Sequence, residues 1–372
     1  MKRKAVKMAA IVLAAVMMTA CGSSASPTGK AEETAAAAEE KTEEAAEAAE
    51  EATEGAAEGL EEAAEEVIGD EEDVTEEAEV EEDDLDEEDE ENYETGDASL
   101  DLARNEDNIG DKELLVVSFG TSFNDSRRMT IGAIEAALEE AFPEYSVRRA
   151  FTSQIIIDHV KSRDGIAIDN VGEALQRAVD NGVKTLVVQP THLMNGYEYT
   201  DLISEIAQYA DAFEHLEIGE PLLTTDADFA AVEDAVVAAT AEYDDGETAI
   251  CFMGHGTEAA SNGVYAQMQS LMDADGLSNY YIGTVEASPS VDDVLAAVKA
   301  GSYKRVVLRP LMVVAGDHAN NDMAGDEEDS WKSIFSEAGY EVTCVLEGLG
   351  QIEAIQDLYV EHAAAAVARA EA

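Results

Sequence analysis

The chain has 372 residues, with 83 Asp and Glu against 22 Lys and Arg, a formal net charge of −61. Its length suits one large domain or two smaller ones. The acid excess repels a polyanion and excludes nucleic acid as a partner, and three cysteines are too few for a disulfide scaffold.

Residues 1–20 read as a signal peptide. "MKRKAVK" is basic, and "MAAIVLAAVMM" is apolar but short for a membrane span. The run ends in "MTAC" before "GSSAS". Small residues ahead of a cysteine, then a polar flexible run, resemble a bacterial lipoprotein signal. That resemblance implies cleavage before Cys21 and lipidation of its thiol. An ordinary secretory peptide or an uncleaved anchor is the alternative, and each option places the remainder outside the cytoplasm. The expected location is extracytoplasmic, as a membrane-anchored lipoprotein on the periplasmic side or the cell surface. A diacylated anchor gives stable attachment.

Residues 21–111 read as an acidic, low-complexity, disordered linker. Between Ala31 and Leu100 there are 34 acidic residues, one basic residue (Lys41) and one aromatic (Tyr93). Such a segment cannot bury enough apolar surface to offset the entropy of ordering. A cation-collecting tail is a second reading, though dense carboxylates hold divalent ions weakly and without selectivity.

After residue 111 the pattern changes. Apolar runs at 114–119, 185–189, 249–253, 281–285, 305–309 and 342–346 read as strands. "MTIGAIEAALEEAF", "VGEALQRAVDNG", "YTDLISEIAQYA", "FAAVEDAVVAATAEY" and "VDDVLAAVKAG" read as helices. Alternation of the two predicts an α/β fold with parallel, Rossmann-like sheets flanked by helices. An internal repeat divides it. "LLVVSFGTS" resembles "AICFMGHGT", and "LVVQPTHLMNGYEY" resembles "VVLRPLMVVAGDHA". Two similar halves follow, at 112–225 and 226–372, facing a central cleft. Ligands in such folds sit beyond the carboxyl ends of the strands.

Those strand ends carry chemistry in the second half. His255 lies between two glycines after one strand, Glu286 follows the next, and Asp317 and His318 follow the third. Adjacent strands are about 4.8 Å apart, so these side chains can converge on one atom. Two imidazoles and a carboxylate suit a borderline divalent metal such as Co, Fe, Ni or Zn. An imidazole also serves as a base near neutral pH. From the first half, His192 and Glu198 approach the same region. Aligning Gly120 with Gly254 puts Thr121 in the place of His255, so the metal should lie nearer the second half. Thr121, Ser122, Arg127 and Arg128 stand near a helix start, suited to anions or to plain capping. His159, His215 and His362 have no polar company and are given no role. Cys251 and Cys344 lie in apolar runs and read as buried free thiols.

At these residues the chain resembles the CbiK-type anaerobic cobaltochelatases, which are class II tetrapyrrole chelatases. The similarity runs through "LLVVSFGTSFNDS", "RRAFTSQIIIDHVKSRDGI", "QPTHLMNGYEYTDL", "FMGHGTEAASNGVY", "TVEASPSVDDVL" and "RPLMVVAGDHANNDMAGDEEDSWKSIF". It implies two chelatase-type halves and insertion of Co²⁺, or Fe²⁺ or Ni²⁺, into sirohydrochlorin or a related tetrapyrrole. No nucleotide and no organic cofactor are expected. Carried over by motif, His255, Glu286 and His318 hold the metal, with His255 and His318 catalytic. Glu198, His192, Thr121 and Ser122 line the substrate side. The exported front end departs from the pattern of a cytoplasmic biosynthetic enzyme. It raises a different class of function: a surface lipoprotein that binds haem, another tetrapyrrole or metal and passes it to a transporter. A homo-oligomer is also compatible with the sequence.

Overall fold

The computed structural model describes residues 95–372. The signal peptide, Cys21 and the linker up to residue 94 lie outside the described residues.

The first half runs β1 (Lys112–Ser118), α1 (Asn124–Met129), α2 (Ile131–Ala141), β2 (Ser146–Phe151), α3 (Gln154–Asp164), α4 (Val171–Asn181), β3 (Thr185–Pro190), α5 (Tyr197–Ala207) and β4 (His215–Ile218). The second runs α6 (Asp226–Thr240), β5 (Thr248–Gly254), α7 (Gly263–Ala274), β6 (Tyr280–Thr284), α8 (Val291–Ala300), β7 (Arg305–Pro310), α9 (Trp331–Glu337), β8 (Glu341–Cys344) and α10 (Glu353–Ala370). Each half holds a parallel four-stranded sheet. The orders are β2-β1-β3-β4 and β6-β5-β7-β8. The second order repeats the first, strand for strand. The α/β architecture with two similar sheets is therefore as the sequence predicted.

Central strands β1, β3, β5 and β7 are buried over nearly their whole length. Helices cover both faces of each sheet, which is why these strands read as continuous apolar runs rather than alternating ones. Three helices start with reciprocal capping boxes, Asn170 with Glu173, Thr225 with Asp228 and Ser290 with Asp293. Each satisfies two backbone donors that would otherwise lack partners.

The halves share one core. Leu114, Val116 and Val187 of the first sheet belong to the same cluster as Ile250, Phe252 and Tyr280 of the second. The helix that follows the last strand of each sheet packs with the other sheet. Helix α6 lies against α7, and its Thr240 hydroxyl donates to the Tyr280 hydroxyl at 3.4 Å. Helix α10 returns to the first half, against α2, β3 and β4. There the Tyr359 hydroxyl donates to the Thr191 carbonyl at 2.7 Å, and Arg369 donates to Glu217 at 2.8 Å. His362, given no role by the sequence, joins the carbonyl of Glu220 and the carboxylate of Asp228. A boundary at residue 226 thus leaves in the second half a helix that covers the first sheet.

The expected linker ends earlier than residue 111. Residues 95–111 are folded onto the first half. Asp101 pairs with Arg127 at 2.6 Å and with Arg149 at 2.8 Å, and all three side chains are buried. The Arg104 carbonyl accepts from Arg148 Nε at 2.8 Å, and the Ile109 carbonyl accepts from Ser146 Oγ at 2.7 Å. The physical reason is charge. Arg149 is fully buried in β2 between Glu135 and Asp101, and a buried guanidinium needs opposite charge. Burial works against ionisation of Asp101, but Arg149 and Arg127 hold its carboxyl below the ordinary range. One acid from the acidic segment is thereby drawn into the fold.

Candidate metal centre

His255 immediately follows β5, Glu286 lies two residues past β6, and the loop after β7 carries His318. Three neighbouring strands of one sheet so deliver three donors to the same edge. One ligand atom from each lies within 4.8 Å of the others, the metal-capable cluster among the described residues. The imidazoles of His255 and His318 meet edge to face, with centroids 4.6 Å apart. His255 Nδ1 lies 3.5 Å from Glu286 Oε2.

The local backbone fixes each donor. Gly254 faces the Tyr265 ring, where a Cβ would fall 2.2 Å from a ring carbon, and Gly256 adopts φ +93°. Both flanks of His255 thus require glycine. The His255 carbonyl accepts from the Glu286 N–H at 2.9 Å, which locks the two loops together. His318 opens a helix that at once widens into a π turn over Ala319–Met323, a local irregularity common at functional sites.

Each ring is also oriented from behind. His318 Nδ1 lies 2.8 Å from Asp322 Oδ2, and His255 Nδ1 lies 2.8 Å from its neighbour's carbonyl, Gly256 O. With Nδ1 so engaged, coordination falls to Nε2 on both rings. This is the usual arrangement by which an outer acceptor sets the tautomer and raises ligand basicity. Burial tends to lower the pKa of His318, but the hydrogen bond and charge of Asp322, with Glu286 and Asp317, raise it above the ordinary histidine value. Asp317 itself accepts from the Asn321 side chain at 2.7 Å and is not in the donor trio. The sequence reading missed Asp322, although its spacing of four from His318 was the available signal.

His192 and Glu198 form a separate pair on the first half, 3.5 Å apart. The His192 side chain is only 7% exposed, and both of its ring nitrogens are buried without a hydrogen-bond partner. Thr121 and Ser122 are buried side chains rather than open donors, and Thr121 Oγ1 accepts from the Phe123 N–H. Arg127 is fully buried and donates to the Thr121 carbonyl and Asp101. The anion-binding expectation for Arg127 is therefore corrected: its charge is consumed internally. Arg128 pairs with Asp125 at 3.2 Å.

Strand register corrects one alignment. Val117 pairs with Pro190 as Met253 pairs with Pro310. Counting on, Phe119 and not Thr121 occupies the place of His255. Gly120 and Gly256 then coincide, and both have positive φ, +109° and +93°.

The profile described as "Cobalt chelatase (CbiK)" matches residues 112–368. A sirohydrochlorin cobaltochelatase of Salmonella typhimurium is 38% identical over 251 residues, covering 68% of this chain and 94% of that protein. Sirohydrochlorin cobaltochelatase CbiKC of Nitratidesulfovibrio vulgaris is 31% identical over 258 residues, covering 69% and 90%. Among solved structures, the sirohydrochlorin chelatase SirB from Bacillus subtilis subspecies spizizenii, in complex with cobalt, superposes with a TM-score of 0.49 at 13% identity, covering 70% of this chain and 97% of that one. A profile spanning most of the chain, met by two relatives above 30% identity, places this protein in the CbiK cobalt chelatase family.

Proposed function

We propose that the chain inserts Co²⁺ into sirohydrochlorin without nucleotide hydrolysis. The observation that carries this reading is the convergence of His255, Glu286 and His318 within 4.8 Å at the ends of three adjacent strands. The names of the relatives point to the same substrate pair. Three protein donors make an incomplete shell, so the ion keeps positions open for the incoming pyrrole nitrogens, whereas a closed four-ligand cage would retain it. Insertion breaks two pyrrole N–H bonds and forms metal–nitrogen bonds, releasing two protons per ion. An imidazole displaced from the metal takes up a proton near neutral pH, and Asp322 behind His318 stabilises the resulting cation. Across the sequence repeat, Glu198, half-exposed beside the buried His192, supplies a further carboxylate on the substrate side.

The test follows visible absorption of sirohydrochlorin with Co²⁺, Fe²⁺ and Ni²⁺ in parallel. The expected result is a Co²⁺-dependent rate enhancement that disappears in His255→Ala. Tight stoichiometric capture of the tetrapyrrole with no acceleration defeats the reading and favours carriage to a transporter.

The amino-terminal residues add a location to this proposal. The basic, apolar and small-residue order ending at Cys21 supports export and lipid anchoring, with the acidic segment as a spacer between membrane and catalytic unit. No helix among the described residues is long and apolar enough to cross a membrane, so attachment in this reading falls to Cys21. Expression of the full chain should place it in the membrane fraction, and Cys21→Ser should release it. Recovery of the unaltered chain in the soluble fraction rejects the anchor. Sedimentation of the released protein decides whether it forms a homo-oligomer.

A further inference from the structure

The backbone hydrogen bonds at the strand ends repeat between the halves. Val285 N–H donates to the Gly254 carbonyl at 3.0 Å and Glu286 N–H to the His255 carbonyl at 2.9 Å. In the first half, Thr152 N–H donates to the Ser118 carbonyl at 2.9 Å and Ser153 N–H to the Phe119 carbonyl at 3.3 Å. Likewise Asn320 N–H donates to the Gly316 carbonyl and Thr200 N–H to the Gly196 carbonyl, both at 3.1 Å. The metal donors His255, Glu286 and His318 therefore have fixed counterparts: Phe119, Ser153 and Glu198.

The two sets border one cleft. An ideal Cβ on Gly316, two residues before His318, would fall 3.1 Å from Oγ1 of Thr121, two residues after Phe119. Reciprocally, a Cβ on Gly196, two residues before Glu198, would fall 3.7 Å from Oγ of Ser261 in the loop after His255. The loop bearing His318 thus touches the loop bearing Phe119, and the loop bearing Glu198 touches the loop bearing His255.

In this counterpart site the imidazole of His255 is replaced by a phenyl ring. Phe119 is 47% exposed although Ser118 and Gly120 beside it are buried. Gly120 adopts φ +109°, and a Cβ there would fall 2.6 Å from the Phe151 ring. An apolar ring held half in water at a strand end, where its repeat partner is a metal ligand, has lost the chemistry of a ligand and kept its place.

We propose that Phe119 is a substrate-binding residue whose ring packs against the π face or edge of the tetrapyrrole, steadying the macrocycle before the ion held by the second half. This rests on the chelatase reading above. Flat aromatic ligands gain from such contacts independently of their charged substituents. The division of labour is then one half for the ion and one for the ring.

The test compares Phe119→Ala, Phe119→Trp and His255→Ala in the full chain, measuring initial rates against sirohydrochlorin concentration and, separately, Co²⁺ binding by titration. Phe119→Ala should raise KM for sirohydrochlorin about 10-fold, the change expected for loss of one stacking contact, with Co²⁺ affinity unchanged. Phe119→Trp should restore KM to near the original. Because the ring is half exposed, the melting temperature of Phe119→Ala should match that of the parent, which separates binding from folding. An unchanged KM in Phe119→Ala, while His255→Ala abolishes metallation, overturns the assignment of Phe119 and leaves the chelatase reading intact. Absence of metallation by the parent chain overturns the chelatase reading itself.

Discussion

His255 and His318 stand edge to face, their ring planes at 80° and their centroids 4.6 Å apart. Nothing in the contact is a packing necessity, since His255 is half-exposed and its ring nitrogen is held by a backbone carbonyl. Two imidazoles brought this close serve a shared ion better than they serve the core.

Replacement of His255 or His318 by alanine should therefore remove chelation with little change in stability. The loss should exceed the ~10–100-fold expected for removal of an outer-shell partner. Co²⁺ titration and thermal melting of the same preparations check this; a large drop in melting temperature with retained Co²⁺ affinity contradicts it.

Asp322→Asn should slow metallation by about 10–100-fold, the usual range for loss of a group that orients a metal-binding histidine. It should also move the pH profile. Asp322 raises the pKa of His318 against the effect of burial, so a larger share of His318 is protonated at a given pH. A protonated ring cannot ligate, and the acid limb of activity should lie above the ordinary histidine value of about 6.5. In Asp322→Asn this limb shifts to lower pH. A shift upward, or none, rejects the assignment.

Asp101→Ala should destabilise the folded unit by about 3–5 kcal/mol, because it leaves Arg127 and Arg149 with less opposite charge in a buried setting. The paired truncations are equally informative. A chain beginning at residue 95 should melt like the parent, and one beginning at residue 112 should melt well below it.

Glu113, buried in β1, has its carboxyl pushed up to about 7, mainly by burial, against an ordinary value of 4.5; Arg148 opposes the shift and Asp169 adds to it. The folded pKa lies above the unfolded one, so the folded state favours the proton. This contribution is complete below pH about 4.5 and is lost as pH rises through 7. Glu113→Gln should flatten that part of the stability curve and raise stability at pH 8 by up to about 3 kcal/mol. Urea midpoints at pH 5 and pH 8 measure it.

The candidate metal donors were legible because each stands at the end of an apolar strand, with glycines beside His255 and ahead of His318 marking where the backbone turns. The central strands were legible for the same reason. β2 was not, since "SVRRAF" carries two arginines whose burial depends on distant acids and carbonyls. The short edge strand β4, "HLEI", has no apolar run to announce it. Nor was the role of residues 95–111 visible: Asp101 looks like any other acid in that segment until Arg127 and Arg149 are placed around it. Phe119 escaped because a glycine-to-glycine alignment chose Gly254, whereas register and φ choose Gly256 as the partner of Gly120.

The crossing of α6 and α10 bears on how such a molecule could arise and be taken apart. If each repeat had once been a separate polypeptide, two copies would have embraced by trading their terminal helices, and joining them end to end would preserve the trade. Neither fragment made by cutting in the loop between α6 and β5 would then carry a complete covering for its own sheet. Co-expressed fragments should reassemble into one particle, while either fragment alone would present a bare apolar face and aggregate.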